Sequence, residues 1–356
     1  MAKDSIPPPN LHGIYRIRKS SQVFPGGRAL SLIPSTVVFV LVLSTYYPVQ
    51  TFYDSPKPTH TLLIRRPSPS KNCGKYGKQM DYVNWRWMPQ GCDMARFEPE
   101  LLAFTGDSIG RNQMESLLCL LYQVEVPAKV HSDTTDKFIT WHFRSHNFTL
   151  MALWTKFLVE ESQREINGTL VESHDIHLDK LDARLAANLH ELNILVVSSS
   201  RWFFRTNYLY EDGKLIGCIY CSEDNITSFT VLSAIQRVFK TTLSNLNKHQ
   251  EPRLQLTVVR TATPAHFENG LWDTGGSCNR TEPVGEDKAM TSTIEWAIRN
   301  VQVEEVNRAQ KEKKHKGGMN IEILDITKAM SMRPDAHPGI HGNNQWMRGY
   351  SDCSHL

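Results

Sequence analysis

Four short, strongly apolar runs, Leu101 to Phe104, Ile194 to Ser198, Leu256 to Thr261 and Ile321 to Ile326, each stand next to a segment of helical character. Apolar runs of strand length that alternate with helices suggest a parallel sheet flanked by helices. In that architecture ligands bind beyond the carboxyl ends of the strands, where Ser108, Ser199, Thr263 and Thr327 emerge. The charged run Glu304 to Lys316 reads as a solvated helix stopped by Gly317-Gly318.

The first run leads into Gly106-Asp107-Ser108, after which Met114, Leu117, Leu118 and Leu121 recur at helical spacing, so the serine falls at a strand-to-helix junction. A Gly-Asp-Ser tripeptide alone is equally an ordinary turn or helix cap, and Asp107 is read as a structural member of that turn. Far along the chain, Asp352-Cys353-Ser354-His355 supplies an imidazole and a carboxylate at i, i+3 spacing. A serine hydroxyl needs an imidazole to take its proton, and the imidazole needs a carboxylate to fix its tautomer. Ser108, His355 and Asp352 thus form a candidate acyl-transfer triad. The positive end of the helix after Ser108 offers an oxyanion site.

Composition is that of a globular chain of 356 residues, and a net charge of +3 is too mild to argue for nucleic acid. No Gly-rich phosphate loop or metal cage stands out. Residues 1–29 carry a basic tail, and residues 30–47 (LSLIPSTVVFVLVLSTYY) read as a single signal anchor with a cytosolic N-terminus. A cleaved signal peptide or a buried strand is the alternative, since Pro34 interrupts a span barely long enough to cross a bilayer. Residues 48–72, rich in Pro, Ser and Lys, form a stem, and the folded domain occupies 73–356. Four glycosylation sequons begin at Asn147, Asn167, Asn225 and Asn279, which together with the anchor point to a secretory lumen. Seven cysteines then face an oxidising compartment, and Cys218 with Cys221 is read as a local disulfide in preference to a redox or metal site.

Several blocks in order carry a resemblance: Asp81-Tyr82 to Trp85-Arg86-Trp87 with Pro89 and Cys92; Gly106-Asp107-Ser108 with Arg111-Asn112-Gln113; Trp202-Phe203-Phe204; His266-Phe267-Glu268 with Gly275-Gly276 and Cys278; Arg333-Pro334-Asp335 to His337-Pro338-Gly339; and Gly349-Tyr350 to His355. From Cys73 onward the chain resembles the plant trichome birefringence-like family of Golgi-anchored polysaccharide O-acetyltransferases, whose fold is related to the GDSL/SGNH esterases. The resemblance implies a three-layer α/β domain with a central, mostly parallel sheet. It implies the same triad, Ser108, Asp352 and His355, working through an acetyl-serine. The N–H of Ile109 and the side chains of Arg111 or Asn112 become oxyanion candidates, with Asp107 beside them; Arg111 is equally read as a structural partner of Asp107. The acetyl donor is a co-substrate, with acetyl-CoA a candidate, and no resident cofactor is implied. Ser145 to Phe148, Trp202 to Tyr210 and Cys218 to Cys221 look closest to the xyloglucan branch, with mannan or xylan as other hemicellulose acceptors. Trp141, Trp154, Trp202, Trp272 and Trp346 are either sugar platforms or core, and His337 and His341 are read as walls of the site.

The chain also departs from the family pattern. Relatives continue past Asp-x-x-His with Trp-Cys-Leu-Pro-Gly, whereas this sequence ends at Leu356, so a truncated C-terminus and a weaker hold on His355 are expected. A cysteine-bearing segment before Cys73 is shortened, which leaves Cys73, Cys92 and Cys119 without their usual partners, while Cys278 with Cys353 remains a complete pair. That bridge ties the Asp352-His355 turn to the domain, a closure worth roughly 3 to 5 kcal/mol in the chain-entropy model. Ser199-Ser200-Arg201 stands where the family has Gly-His before the aromatic pair. Three functions follow: a hemicellulose O-acetyltransferase in the Golgi membrane, type II with a luminal domain; an acetylesterase using the same triad with water; or a catalytically impaired wall-polysaccharide binder.

Overall fold

The computed structural model describes residues 100–248, 251–289, 291–316, 319–341 and 350–355. The anchor and stem, residues 30–47 and 48–72, lie outside these, as do Cys73, Cys92 and Trp346. Among the described residues no helix is long and apolar enough to cross a membrane.

The four apolar runs form β1 (Leu101–Gly106), β7 (Ile194–Ser198), β10 (Leu256–Arg260) and β11 (Ile321–Leu324). They are joined by β4 (Phe148–Trp154), β3 (Phe138–Phe143) and β2 (Ala128–Ser132) in one seven-stranded sheet of order β11-β10-β7-β1-β4-β3-β2. Pairing is parallel from β11 through β4. It is antiparallel for β4-β3 and β3-β2, so the sheet is mixed rather than wholly parallel.

Alternation along each central strand sends side chains to two separate cores. Leu102, Phe104, Ile194, Val196, Leu256 and Val258 pack on one face against Met114, Leu117 and Leu118 of α1 (Ser108–Leu121) and Met330 of α5 (Thr327–Ser331). Ala103, Leu195, Val197 and Val259 point the other way, into a larger core. There they meet α2 (Ala183–Asn188) through Leu185, α3 (Val231–Lys248) through Ile235, Val238 and Phe239, and α4 (Ile294–Lys316) through Ile298, Val306 and Ala309. Buried on both faces, these strands have no polar side and read as continuous apolar runs. The three-layer expectation therefore holds for the described residues.

Two features depart from the sequence reading. The helix carrying Glu304 to Lys316 is not wholly solvated: Glu305, Val306 and Ala309 are buried, with Glu305 paired to Arg308. A second sheet, of order β5-β6-β8-β9, is formed by β5 (Val159–Ile166), β6 (Thr169–Leu181), β8 (Asn207–Glu211) and β9 (Lys214–Ile219). Its Ile176, Leu178, Leu209 and Ile219 join the larger core, while its other face is polar, so each strand contributes few apolar residues.

Candidate active site

The exits of β10, β7 and β1 lie side by side on one edge of the sheet, with neighbouring strands about 4.8 Å apart. At β1 the chain turns sharply through Gly106, whose φ of +131° is open to glycine. A Cβ placed there would stand 1.5 Å from the carbonyl oxygen of Ser198, so the residue also permits close approach of β1 to β7.

Asp107 follows as the N-cap of α1 and is fully buried. One carboxylate oxygen accepts from the Ile109 N–H at 3.0 Å; the other accepts from the backbone N–H groups of Ser200 and Arg201, each at 2.9 Å. The side chain therefore both starts the helix and ties it to the loop after β7. Ser108 comes next, at the first position of α1, and is partly exposed between buried neighbours.

The oxyanion candidates separate. The Ile109 N–H is already engaged by Asp107, so a carbonyl oxygen would have to compete with a carboxylate for it. Arg111 pairs with Glu115 at 2.9 Å and donates to the carbonyl of Asp136 at 2.5 Å; it is not the partner of Asp107. Asn112 lies one turn after Ser108, and its side-chain amide makes no hydrogen bond among the described residues. The N–H of Ser108 itself, absent from the sequence reading, likewise has no protein acceptor among them. A local signal for it existed, since the first amides of any helix lack intrahelical acceptors.

The second half of the site is the turn at residues 352–355. His355 Nδ1 donates to the Asp352 carboxylate, 2.9 and 3.0 Å from its two oxygens. The same carboxylate accepts from the backbone N–H groups of His355 and Ser354 at 3.2 and 3.3 Å. Burial alone would raise the Asp352 pKa, but the bond and charge of the His355 imidazole and these backbone N–H groups outweigh it and hold the pKa to about 2. Asp352 is thus a carboxylate at neutral pH, and with Nδ1 donating to it the lone pair of the neutral His355 ring lies on Nε2.

Four ties fix this turn, one of them the contact of His337 Nδ1 with the His355 carbonyl at 2.5 Å. Gly339 and Asp352 exchange backbone hydrogen bonds at 3.0 and 2.9 Å, Cys278 and Cys353 form a disulfide, and the His266 N–H donates to the Cys353 carbonyl at 3.0 Å. Cys218 and Cys221 form the second disulfide. Cys119 is half-buried on α1.

Arg201 stands between the two halves. Its backbone N–H donates to Asp107, while its guanidinium donates to the Thr263 carbonyl after β10 and to Glu295 of α4, at 2.6 and 3.1 Å. Among the described residues no hydrogen bond joins Ser108 Oγ to His355; the halves are linked through Arg201 and the loop from Thr263 to His266. Ser199 donates to the Lys156 carbonyl, and Thr327 to that of Ala262, so both serve the loops behind the edge.

Of the tryptophans, Trp202 packs against the cations of Lys156 and Arg205, 5.1 and 4.6 Å from its ring centre, and Trp272 is exposed. Trp141 packs beside the core under α1, and Trp154 is half-buried. All four sequon asparagines, Asn147, Asn167, Asn225 and Asn279, are exposed.

Comparison with known proteins places these residues in context. Residues 94–356 match the model of the PC-Esterase family, described as a GDSL/SGNH-like acyl-esterase family found in Pmr5 and Cas1p. Xyloglucan O-acetyltransferase 3 of Populus trichocarpa is 47% identical over 296 residues, covering 80% of this chain and 74% of the relative. Xyloglucan O-acetyltransferase 2 of Arabidopsis thaliana is 41% identical over 302 residues, covering 80% and 72%. Protein trichome birefringence-like 19 of Arabidopsis thaliana is 33% identical over 300 residues, covering 80% and 70%.

Proposed function

This chain belongs to the PC-esterase family of GDSL/SGNH-like acyl-esterases, and from that premise we propose that it is an O-acetyltransferase acting on hydroxyls of a hemicellulose, xyloglucan first among them. The observation that carries the reading is the Asp352-His355 pair, a buried carboxylate that fixes the imidazole by Nδ1 and leaves the lone pair on Nε2. Support for xyloglucan comes from the names of the relatives at 47% and 41% identity.

In this reading Ser108 Oγ attacks the carbonyl carbon of the acetyl donor while His355 Nε2 takes its proton. The tetrahedral oxyanion forms at the start of α1, facing the N–H of Ser108 and the amide of Asn112. Collapse expels the donor's leaving group, which takes the proton from His355 and leaves acetyl-Ser108. A sugar hydroxyl then attacks the acetyl carbonyl, giving its proton to Nε2, and the Ser108 oxygen leaves with that proton. Asp352 stays ionised throughout and stabilises the imidazolium. The acetyl donor is a co-substrate for which acetyl-CoA is a candidate, and no resident cofactor is part of the scheme.

The same proposal puts residues 1–29 in the cytosol, 30–47 across a Golgi membrane and 48–72 in a stem, with 73–356 in the lumen. Two disulfides and four exposed sequon asparagines, proposed as glycosylated, support that placement.

Hydrolysis is the second reading, favoured by the acyl-esterase description of the family. Incubation of the full chain with an acetyl donor and de-acetylated xyloglucan oligosaccharides, read by mass spectrometry beside Ser108→Ala and His355→Ala, separates the two. Gain of acetyl mass on the sugar, lost in both variants, is expected; acetate release with unmodified sugar would replace the transferase by an esterase.

A further inference from the structure

Trp272 is 59% exposed, and its ring meets no aromatic or cationic partner among the described residues, whereas the ring of Trp202 is engaged by Lys156 and Arg205. The loop that holds this indole in water is tightly built. Glu268 and Ser277 exchange backbone hydrogen bonds at 2.8 and 2.9 Å, the Leu271 carbonyl accepts from the N–H groups of Thr274 and Gly276, and the Leu271 N–H donates to Thr274 Oγ1 at 2.7 Å. Gly276 lets the two arms close, since a Cβ there would stand 2.5 Å from the Gly270 carbonyl oxygen. An aromatic ring held out on such a turn loses little freedom when a ligand covers it.

Both feet of the loop stand on the turn that carries the proposed base. At one foot the His266 N–H donates to the Cys353 carbonyl; at the other, Cys278 is bridged to Cys353, two residues before His355. Gly339 lies against Cys278, whose carbonyl oxygen would be 3.5 Å from a Cβ placed there, and it pairs with Asp352. The neighbouring Ile340 and Tyr350 are also exposed, Tyr350 at 48%. Leu271, Trp272, Ile340 and Tyr350 are thus carried by three segments that meet at one disulfide, and an exposed apolar group of this kind among polar residues marks a binding surface. The arms of the loop offset Trp272 from Cys278 by at most about 22 Å of chain, within the span of an oligosaccharide.

We propose that Trp272, with Tyr350 beside the same junction, is a stacking platform for the acceptor glycan and takes a sugar ring offset along the chain from the hydroxyl that is acetylated. The proposal rests on the reading of His355 as the base and of a hemicellulose as acceptor. An indole offers a flat apolar face and one N–H at its edge, which fits the C–H face of a pyranose with hydroxyls around its rim. The polar groups nearby suit a neutral, hydroxyl-rich ligand. Asp273 and Thr274 are exposed, Asp273 has no ion-pair partner among the described residues, and Glu268 and Arg280 neutralise each other near the feet of the loop. A free carboxylate accepts from sugar hydroxyls and repels phosphate-bearing partners such as nucleic acid or anionic lipid.

Two measurements on the full chain test the platform. In the first, nitrogen-15 tryptophan labels the indole N–H groups, the Trp272 signal being the one lost in Trp272→Phe, and xyloglucan oligosaccharides of increasing length are titrated in without acetyl donor. We expect that signal to shift and saturate, at lower concentration for the longer sugars. In the second, acetyl transfer is followed with short and long acceptors. Trp272→Ala should raise KM for the long acceptor about tenfold with kcat unchanged and leave the shortest acceptor little affected, while Trp272→Phe, which keeps a stacking face, should recover most of the loss. Both variants should keep the parent Tm, because the side chain is exposed. A Trp272 signal that ignores the sugar, one that moves with protein concentration alone as it would if a second copy covered the loop, or an equal change in KM for short and long acceptors overturns the proposal. The titration decides even if no acetyl transfer is found, so failure of the platform and failure of the acyl-transfer reading remain distinguishable.

Discussion

Gly106 is the residue on which the placement of Ser108 most depends, because it meets two demands at once. Its φ of +131° is one that side chains avoid, and the space a Cβ would need is filled by the Ser198 carbonyl. Gly106→Ala should cost more than about 3 kcal/mol, read as a fall in the urea midpoint, with acetyl transfer lost before the fold is. Asp352 carries the pH dependence. Its folded pKa of about 2 lies below the unfolded value of 3.8, so its contribution is complete above about pH 4 and is lost as pH falls through about 2. About 2 kcal/mol of stability should disappear across that window, and Asp352→Asn should remove the same increment, as acid titrations of unfolding free energy would show. Ser108, Asp352 and His355 were legible as residues because each sits in a short motif. The contact of His266 with His337 was not, since the two lie 71 positions apart and neither has a local pattern that names the other.

At the scale of elements, α1 is the piece that places Ser108 at the exit of β1. Asp107 caps it and at the same time holds the β7 loop by two backbone bonds. Asp107→Ala leaves three N–H groups without their acceptor, two of them buried and that of Arg201 half-buried, and should destabilise the domain by about 3 kcal/mol or more, whereas Asp107→Asn, which keeps one acceptor oxygen, should cost less. Thermal unfolding of the pair of variants checks the order. The turn role of Asp107 was readable from its neighbours, but its bonds to Ser200 and Arg201, 93 and 94 residues away, were not. The central strands were legible because burial on both faces leaves them apolar. Strands β5 and β6 were hidden by charge: Glu160 to Glu165 and Asp175 to Lys180 face largely outward, and Ile176 and Leu178 alone are too short a signal.

For the whole molecule, the proposed active edge is assembled from segments that only the sheet order brings together: the exits of β1, β7 and β10, and the turn at residues 352–355. The Cys278-Cys353 disulfide spans 75 positions and closes that assembly, a constraint of about 4 kcal/mol in the chain-entropy model. Cys278→Ser with Cys353→Ser should therefore depress acetyl transfer far more than it changes the far-ultraviolet circular dichroism, because the central sheet does not depend on the bridge. In this structure the His355 imidazole is bonded to Asp352, and the backbone of the turn is tied to Gly339 and His266. The central claim is that acetyl passes through Ser108. Rapid acid quench of the full chain with acetyl donor and no acceptor, followed by peptide mapping by mass spectrometry, tests it most directly. An acetyl group on the Ser108 peptide, discharged when xyloglucan oligosaccharide is added and absent from His355→Ala, is the predicted result; acetyl transfer that proceeds with Ser108 unmodified, or survives Ser108→Ala, would contradict it.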